Sequence, residues 1–273
     1  MCTDNNGIIT LQNSVAECKI SLFGGNILSY RPKTQKHNVF WLGDLNKFDN
    51  VQAIRGGIPI CWPRFAQEQL NSHLPRHGFA RTSLWTLENI CVDETKMTAH
   101  LCLIPDKQYN LNICADLFIK ITDKLECILE TTNLGTENFA FSEAFHAYFY
   151  VGSRDKTQIK GVQGFQYINS LDGKNYKLDK DLTITEEFDS VFMNHTNNVK
   201  IVDNKLKRII NLEKKNSNST VVWNPNKNVK EASSGQFNKF ICVEPANMGD
   251  NFVTLSPQEK HSISMIISVK NME

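Results

Sequence analysis

The chain has 273 residues, with 30 Lys and Arg against 29 Asp and Glu, a formal net charge of +1. A single domain spanning 1–273 fits that length, and near-neutrality removes any global field that would recruit nucleic acid or an anionic membrane surface, so recognition of an anion must be local. The eight cysteines contain no CxxC pair and mostly sit inside apolar runs, which points to free thiols in a reducing compartment. The opening MCTDNNGIITLQN has neither the basic nor the apolar region of a secretion signal, and no run reaches the ~18 apolar residues of a membrane span. The expectation is a cytoplasmic protein, with Asn194 and Asn218 as chance matches to the glycan-acceptor pattern.

From residue 8 to 42 the runs IITLQN, AECKISLFGG and NVFWLG read as short strands separated by Gly24-Gly25, Asn26 and the Arg31-Pro32-Lys33 turn. Ile54 to Arg81 is different. Its 28 residues hold four arginines (Arg55, Arg64, Arg76, Arg81), two histidines (His73, His77), the Gly56-Gly57 pair and three prolines, which suits neither helix nor regular strand. It reads as a binding loop: glycines let the backbone take φ > 0 and lie close to a ligand, and a guanidinium can bond two oxygens of an anion at once. An anionic small molecule is the ligand these residues suggest. His73-x3-His77 could suggest a metal pair, but Pro75 breaks the helical spacing and no third ligand is evident, so no metal is expected.

Next, SLWTLENICVDE, KMTAHLCLIP, NICADLFIKITD and KLECILETTNLG alternate apolar residues at every second position, with turn residues between them, as in an antiparallel sandwich. No segment is a clean amphipathic helix. Phe139 to Val151, read as one strand, puts Phe139, Phe141, Phe145, Phe149 and Val151 on an aromatic face, and His146 with Tyr148 and Tyr150 on a small, polar one. Glu143 falls on the aromatic face, where nothing in the pattern accounts for it. The Asn- and Lys-rich KKNSNST at 214 to 220 reads as solvated loop. In FICVEPAN, alternation groups Phe240, Cys242 and Glu244, and Pro245 holds Glu244 extended at the strand's end. LSPQEKHSISMIISV is the closing strand. Trp41, Trp62, Trp85 and Trp223 are core candidates that could also stack on a sugar.

Three separated motifs, RGGIPICWPRF at 55 to 65, HGFAR at 77 to 81 with FHAYFYVG at 145 to 152, and VVWNP with VEPAN at 221 to 247, together resemble the hexose-6-phosphate mutarotases of the aldose 1-epimerase superfamily. The likeness covers nearly the whole chain in the family's order. It implies an all-β fold, a large antiparallel β-sandwich of the galactose mutarotase type, acting without a cofactor on a phosphorylated aldohexose; a monomer is the separate expectation. It further implies that His146 and Glu244 are catalytic and that Arg55, His77, Arg81 and Asp189 (in EEFDSVF) bind substrate. Arg76 precedes His77 where relatives carry an amide or a small residue. Arg64 stands where they carry an aromatic, which suggests an extra cation near the phosphate.

Anomer exchange removes a proton from O1 and delivers one to O5, so one base and one acid suffice, the unperturbed side chains titrating near pH ~4.3 for Glu and ~6.5 for His. The implied assignment has Glu244 as base on O1–H and His146 as donor to O5, with Asp189 favouring the imidazolium. A catalytically silent phosphosugar binder on the same sandwich is the alternative from a different class. A glycoside hydrolase is a third reading, although such enzymes normally use two carboxylates.

Overall fold

The computed structural model describes residues 2–66 and 68–272. Alternation dictates the architecture: where every second residue is apolar, a strand buries one face. Thr86–Val92, Met97–Leu103, Ile113–Ile121 and Leu125–Asn133 are consecutive antiparallel strands. The long C-terminal strand Lys260–Asn271 lies between Leu125–Asn133 and Arg208–Lys215, so the closing strand is central in this eight-stranded sheet. A second eight-stranded sheet runs Asn175–Lys177, Gln166–Asn169, Phe188–Met193, Ser219–Asn224, Phe240–Asn247, Glu143–Phe145 and Ile60–Cys61, with Tyr148–Tyr150 also paired to Phe240–Asn247. A four-stranded sheet formed by Cys2–Thr3, Ile8–Gln12, Ala16–Ser21 and Asn26–Pro32 precedes them. Ile9 and Ile20 of that small sheet, Leu117, Leu129 and Ile263 of the first, and Phe145, Phe192, Val222 and Val243 of the second belong to one buried cluster. The protein is therefore an antiparallel sandwich, and among the described residues its helices are 3-10 turns of three or four residues.

Four elements differ from the sequence expectation, the first being 214–220, where only 216–218 is loop between two strands and Lys214, Ser217, Ser219 and Thr220 are buried. Residues 38–43 make only isolated bridges, Phe40 to Phe149 and Leu42 to Gly56. The segment 139–151 is three strands: Phe139–Phe141 pairs with Val253–Leu255, while Glu143–Phe145 and Tyr148–Tyr150 both pair with Phe240–Asn247. Between the last two, the His146 and Tyr148 N–H groups donate to the carbonyls of Pro59 and Gly57, so the backbone bends toward the arginine-rich loop without losing its alternation. Lastly, Phe240–Asn247 runs past Pro245, which sits opposite Thr220, so Glu244 is inside the strand rather than at its end. A proline there removes one ladder donor and leaves its extended φ undisturbed.

Arg154, only 6% exposed, organises the region beside the second sheet. It donates to Asn224 Oδ1, Asn238 Oδ1 and the carbonyls of Thr185 and Glu186, and it also bonds Asn226. Arg154→Met should therefore destabilise the protein by about 3 kcal/mol in urea unfolding, because a buried hub of charged hydrogen bonds is replaced by unpaired acceptors.

Candidate active site

Register builds the site. Across the second sheet, Val191 faces Val221, and Val221 faces Glu244. Glu143 pairs with Asn247, Ala144 with Ala246 and Tyr148 with Cys242, and the same register places His146 opposite Glu244. A neighbouring row runs Asp189, Trp223, Cys242, Tyr148. Since side chains on alternate residues share a face, both rows project from the side opposite the main core. Val191, Val221, Glu244 and His146 of the first row and Asp189 and Trp223 of the second floor a cavity of about 580 Å³ whose walls include Arg55, Arg76, His77, Arg81, Phe65, Lys227 and Lys230. The six residues marked as catalytic or substrate-binding by sequence resemblance thus converge on one cavity, and Arg76, where this chain departs from its relatives, joins them there.

His146 Nδ1 lies 3.3 Å from Glu244 Oε1, without the alignment of a hydrogen bond: His146 Nδ1 and Glu244 Oε2 are buried with no hydrogen-bond partner among the described residues. The imidazole is held by rings instead. Tyr148 stacks on it at 4.9 Å and 8°, while Trp223 and His77 meet it edge-on at 5.8 and 5.6 Å. Burial lowers the His146 pKa to about 3, helped by Arg55, Arg81 and Arg76. Burial raises Glu244 well above the usual carboxylate range, and the Asp189 charge adds to this. The expectation that Asp189 would favour an imidazolium is corrected: the arginines oppose that charge, and Asp189 acts on Glu244. Asp189 is itself raised, chiefly by burial, against the opposing effects of the Ser170 hydroxyl and Arg76.

His77 Nδ1 accepts from the Ala66 N–H at 3.3 Å, which leaves Nε2 to carry the ring proton as a donor. Burial, then His146 and the arginines, depress the His77 pKa, in keeping with a neutral ring. Arg55 Nε binds Glu231 Oε2 at 3.1 Å and its Nη1 donates to Tyr148 Oη at 3.1 Å. Arg81 Nη2 donates to the Arg76 carbonyl at 2.9 Å, while its Nε is buried without a partner among the described residues. Three guanidinium groups thus line one cavity, and those of Arg55 and Arg81 are oriented by bonds to the protein.

Other expectations fare differently. Arg64 is no anion ligand: it is buried outside the cavity lining and donates to the carbonyls of Glu68, Ser72 and Leu74, which brace the loop carrying Arg76. Gly56 and Gly57 have φ of 105° and 70°, but their close neighbours are backbone, not ligand space. An added Cβ would meet the Trp41 or Ile27 carbonyl oxygen at 2.5 Å. Neither Tyr148 nor Tyr150 opens its hydroxyl into the cavity. Trp41, Trp62 and Trp85 are core, whereas Trp223 lines the site. Glu143 is a buried charge on the back face, bonded by Asn247 Nδ2 at 2.8 Å and facing His261 Nε2 at 3.0 Å. His73 is outside the lining. The donor atoms of His146, Cys242 and Glu244 fall within 4.8 Å of one another, a set that could hold a soft cation, but three guanidinium groups oppose a cation there. Lys227, Lys230 and Phe65 had no sequence signal beyond their nearness to VVWNP and RGGIPICWPRF.

The chain belongs to the aldose 1-epimerase family, whose model matches residues 7–268. It is 31% identical over 219 residues to a Haemophilus influenzae protein named "Putative glucose-6-phosphate 1-epimerase", covering 80% of this chain and 76% of that one. A relative of the same name from Cenchrus ciliaris is 27% identical, covering 91% and 79%. A solved Salmonella typhimurium structure described as "a putative mutarotase" superposes with a TM-score of 0.89 at 25% identity, covering 97% and 90% of the two chains. Galactose mutarotase-like or mutarotase-related proteins of 15–17% identity share the fold. No helix among the described residues is long and apolar enough to cross a membrane.

The depressed His146 pKa has a consequence for acid stability. Between about pH 3 and 6.5 the ring is neutral when folded and charged when unfolded, so the unfolded chain binds more protons and stability falls as pH drops through that window. His146→Asn removes this dependence. Thermal midpoints measured from pH 7 to 4 should decline less steeply for the variant than for the parent protein.

Proposed function

We propose that this chain interconverts the α and β anomers of a hexose 6-phosphate, with glucose 6-phosphate as the favoured substrate. The observation that carries this reading is one cavity that holds both a facing imidazole–carboxyl pair and three guanidinium groups. The pair suits proton exchange at adjacent oxygens of a hemiacetal, and the arginines suit a dianionic phosphate.

In this mechanism the pair shares one proton. Glu244 as carboxylate takes the proton of O1–H and His146 as imidazolium donates to O5; the ring opens, the C1–C2 bond turns, and reclosure reverses both transfers. Without substrate the other arrangement is favoured: burial and the arginines disfavour the imidazolium of His146, and burial with the Asp189 charge disfavours the carboxylate of Glu244. A phosphate among Arg55, Arg76 and Arg81 cancels the positive field at the imidazole and brings the two arrangements closer in energy. His77 Nε2–H is a donor for a sugar hydroxyl, and Asp189 is an acceptor. A buried carboxyl and imidazole left without hydrogen bonds are costly, and a protein that only bound phosphosugar would need neither.

Anomer exchange followed by NMR tests both parts. His146→Asn and Glu244→Gln should each lower kcat by about 10² to 10⁴-fold, the usual contribution of a general acid or base. Rates equal to the parent protein would remove the assignment. Arg81→Gln should raise KM for glucose 6-phosphate about tenfold or more through the lost charge-assisted bonds, with a much smaller effect for free glucose. Equal losses on both sugars would rule out a phosphate role.

A further inference from the structure

One buried side chain touches both halves of this site and lines neither. Tyr148 is 2% exposed and stands in the row beside His146, two residues along the same segment. Its ring lies parallel to the imidazole at 4.9 Å and 8°, the only stacked contact among the described aromatic neighbours of His146. Because His146 Nδ1 makes no hydrogen bond to the described residues, this stack is what sets the plane of the imidazole. The far side of Tyr148 is fixed by Trp41, stacked at 5.8 Å and 30°, and its edge by Trp223 at 6.0 Å and 87°. At the other end of the same side chain, Oη accepts from Arg55 Nη1 at 3.1 Å. Arg55 Nε is committed to Glu231, so Tyr148 and Glu231 together aim the remaining N–H groups of that guanidinium at the cavity.

We propose that Tyr148 is a positioning residue that couples the anion-binding end of the cavity to the acid–base end, orienting Arg55 through its hydroxyl and His146 through its ring. The proposal rests on the phosphosugar reading above and adds a residue to it. A guanidinium drawn toward a phosphate pulls on the phenol oxygen, and the rigid ring carries that displacement to the stacked imidazole. The phosphate would then help catalysis as well as binding, because a bound anion fixes the acid–base group in place.

The experiment is steady-state anomer exchange on glucose 6-phosphate and on free glucose. Tyr148→Phe keeps the stack and the packing and removes the hydroxyl. Its preference for the phosphorylated sugar, as the ratio of kcat/KM values, should fall about tenfold, in line with one lost bond to a charged donor. Installing Tyr148→Phe in Arg55→Gln should change that ratio by less than about twofold, since the hydroxyl has no guanidinium left to orient. Tyr148→Leu, which loses the stack as well, should lower kcat on both sugars relative to Tyr148→Phe. If Tyr148→Phe keeps the parental preference, or loses activity equally on both sugars, or adds fully to Arg55→Gln, the coupling is overturned. A parent protein that exchanges anomers of no hexose phosphate overturns the functional reading itself. A parent that is active, with variants behaving in those three ways, overturns only this inference.

Discussion

The antiparallel register between 143–148 and 242–247 is the constraint on which the site depends. It puts an imidazole from mid-chain directly across from a carboxyl group that lies almost a hundred positions later. Because side chains alternate, a slip of one residue would send His146 into the aromatic core and replace it with Phe145 or Ala147. The bend at 146–148 works with the register: its backbone N–H groups are satisfied by Gly57 and Pro59, so the segment that carries Arg55 is bonded to the segment that carries the histidine. The imidazole–carboxyl pair and the arginine rim are thereby built as one unit.

Two glutamates on opposite faces of this strand pair show what is unusual about the cavity. Glu143 is completely buried, but Asn247 donates to it and His261 faces it, so its carboxyl group is partnered as buried polar groups in protein interiors usually are. Glu244 is equally buried, is approached by His146, and keeps Oε2 without a partner among the described residues. Leaving a carboxyl unsatisfied beside an unsatisfied imidazole costs stability, and such groups concentrate where chemistry is done. Nearby guanidinium groups deepen the effect on the histidine, so the proton inventory of the pair depends on the charge of the rim.

Arginines in this chain also divide by environment. Arg64, Arg154 and Arg208 are buried and spend their donors on carbonyls and amide side chains, bracing loops. Arg55, Arg76 and Arg81 open into the cavity. The loop motif 54–81 mixes both kinds within a few residues, and nothing in its composition separates them, because the difference is set by which carbonyls come within reach after folding.

Local pattern alone determined the all-β architecture, since a period of two is a backbone property that survives any tertiary arrangement; it also marked the arginine-rich loop as suited to an anion, whereas His146 and Glu244 drew their catalytic assignment from the resemblance of their motifs to a family. What it could not contain was distance. That 139–151 is three strands, that Glu244 lies within a strand, that Glu143 meets His261, that Arg64 is a brace, and that Asp189 acts on Glu244 rather than on His146 all depend on contacts between residues far apart in the chain. Protonation states belong to the same class: burial and three converging guanidinium groups disfavour a charge on the imidazole, burial and Asp189 make the carboxyl reluctant to ionise, and none of these influences exists until the sheets have closed around them.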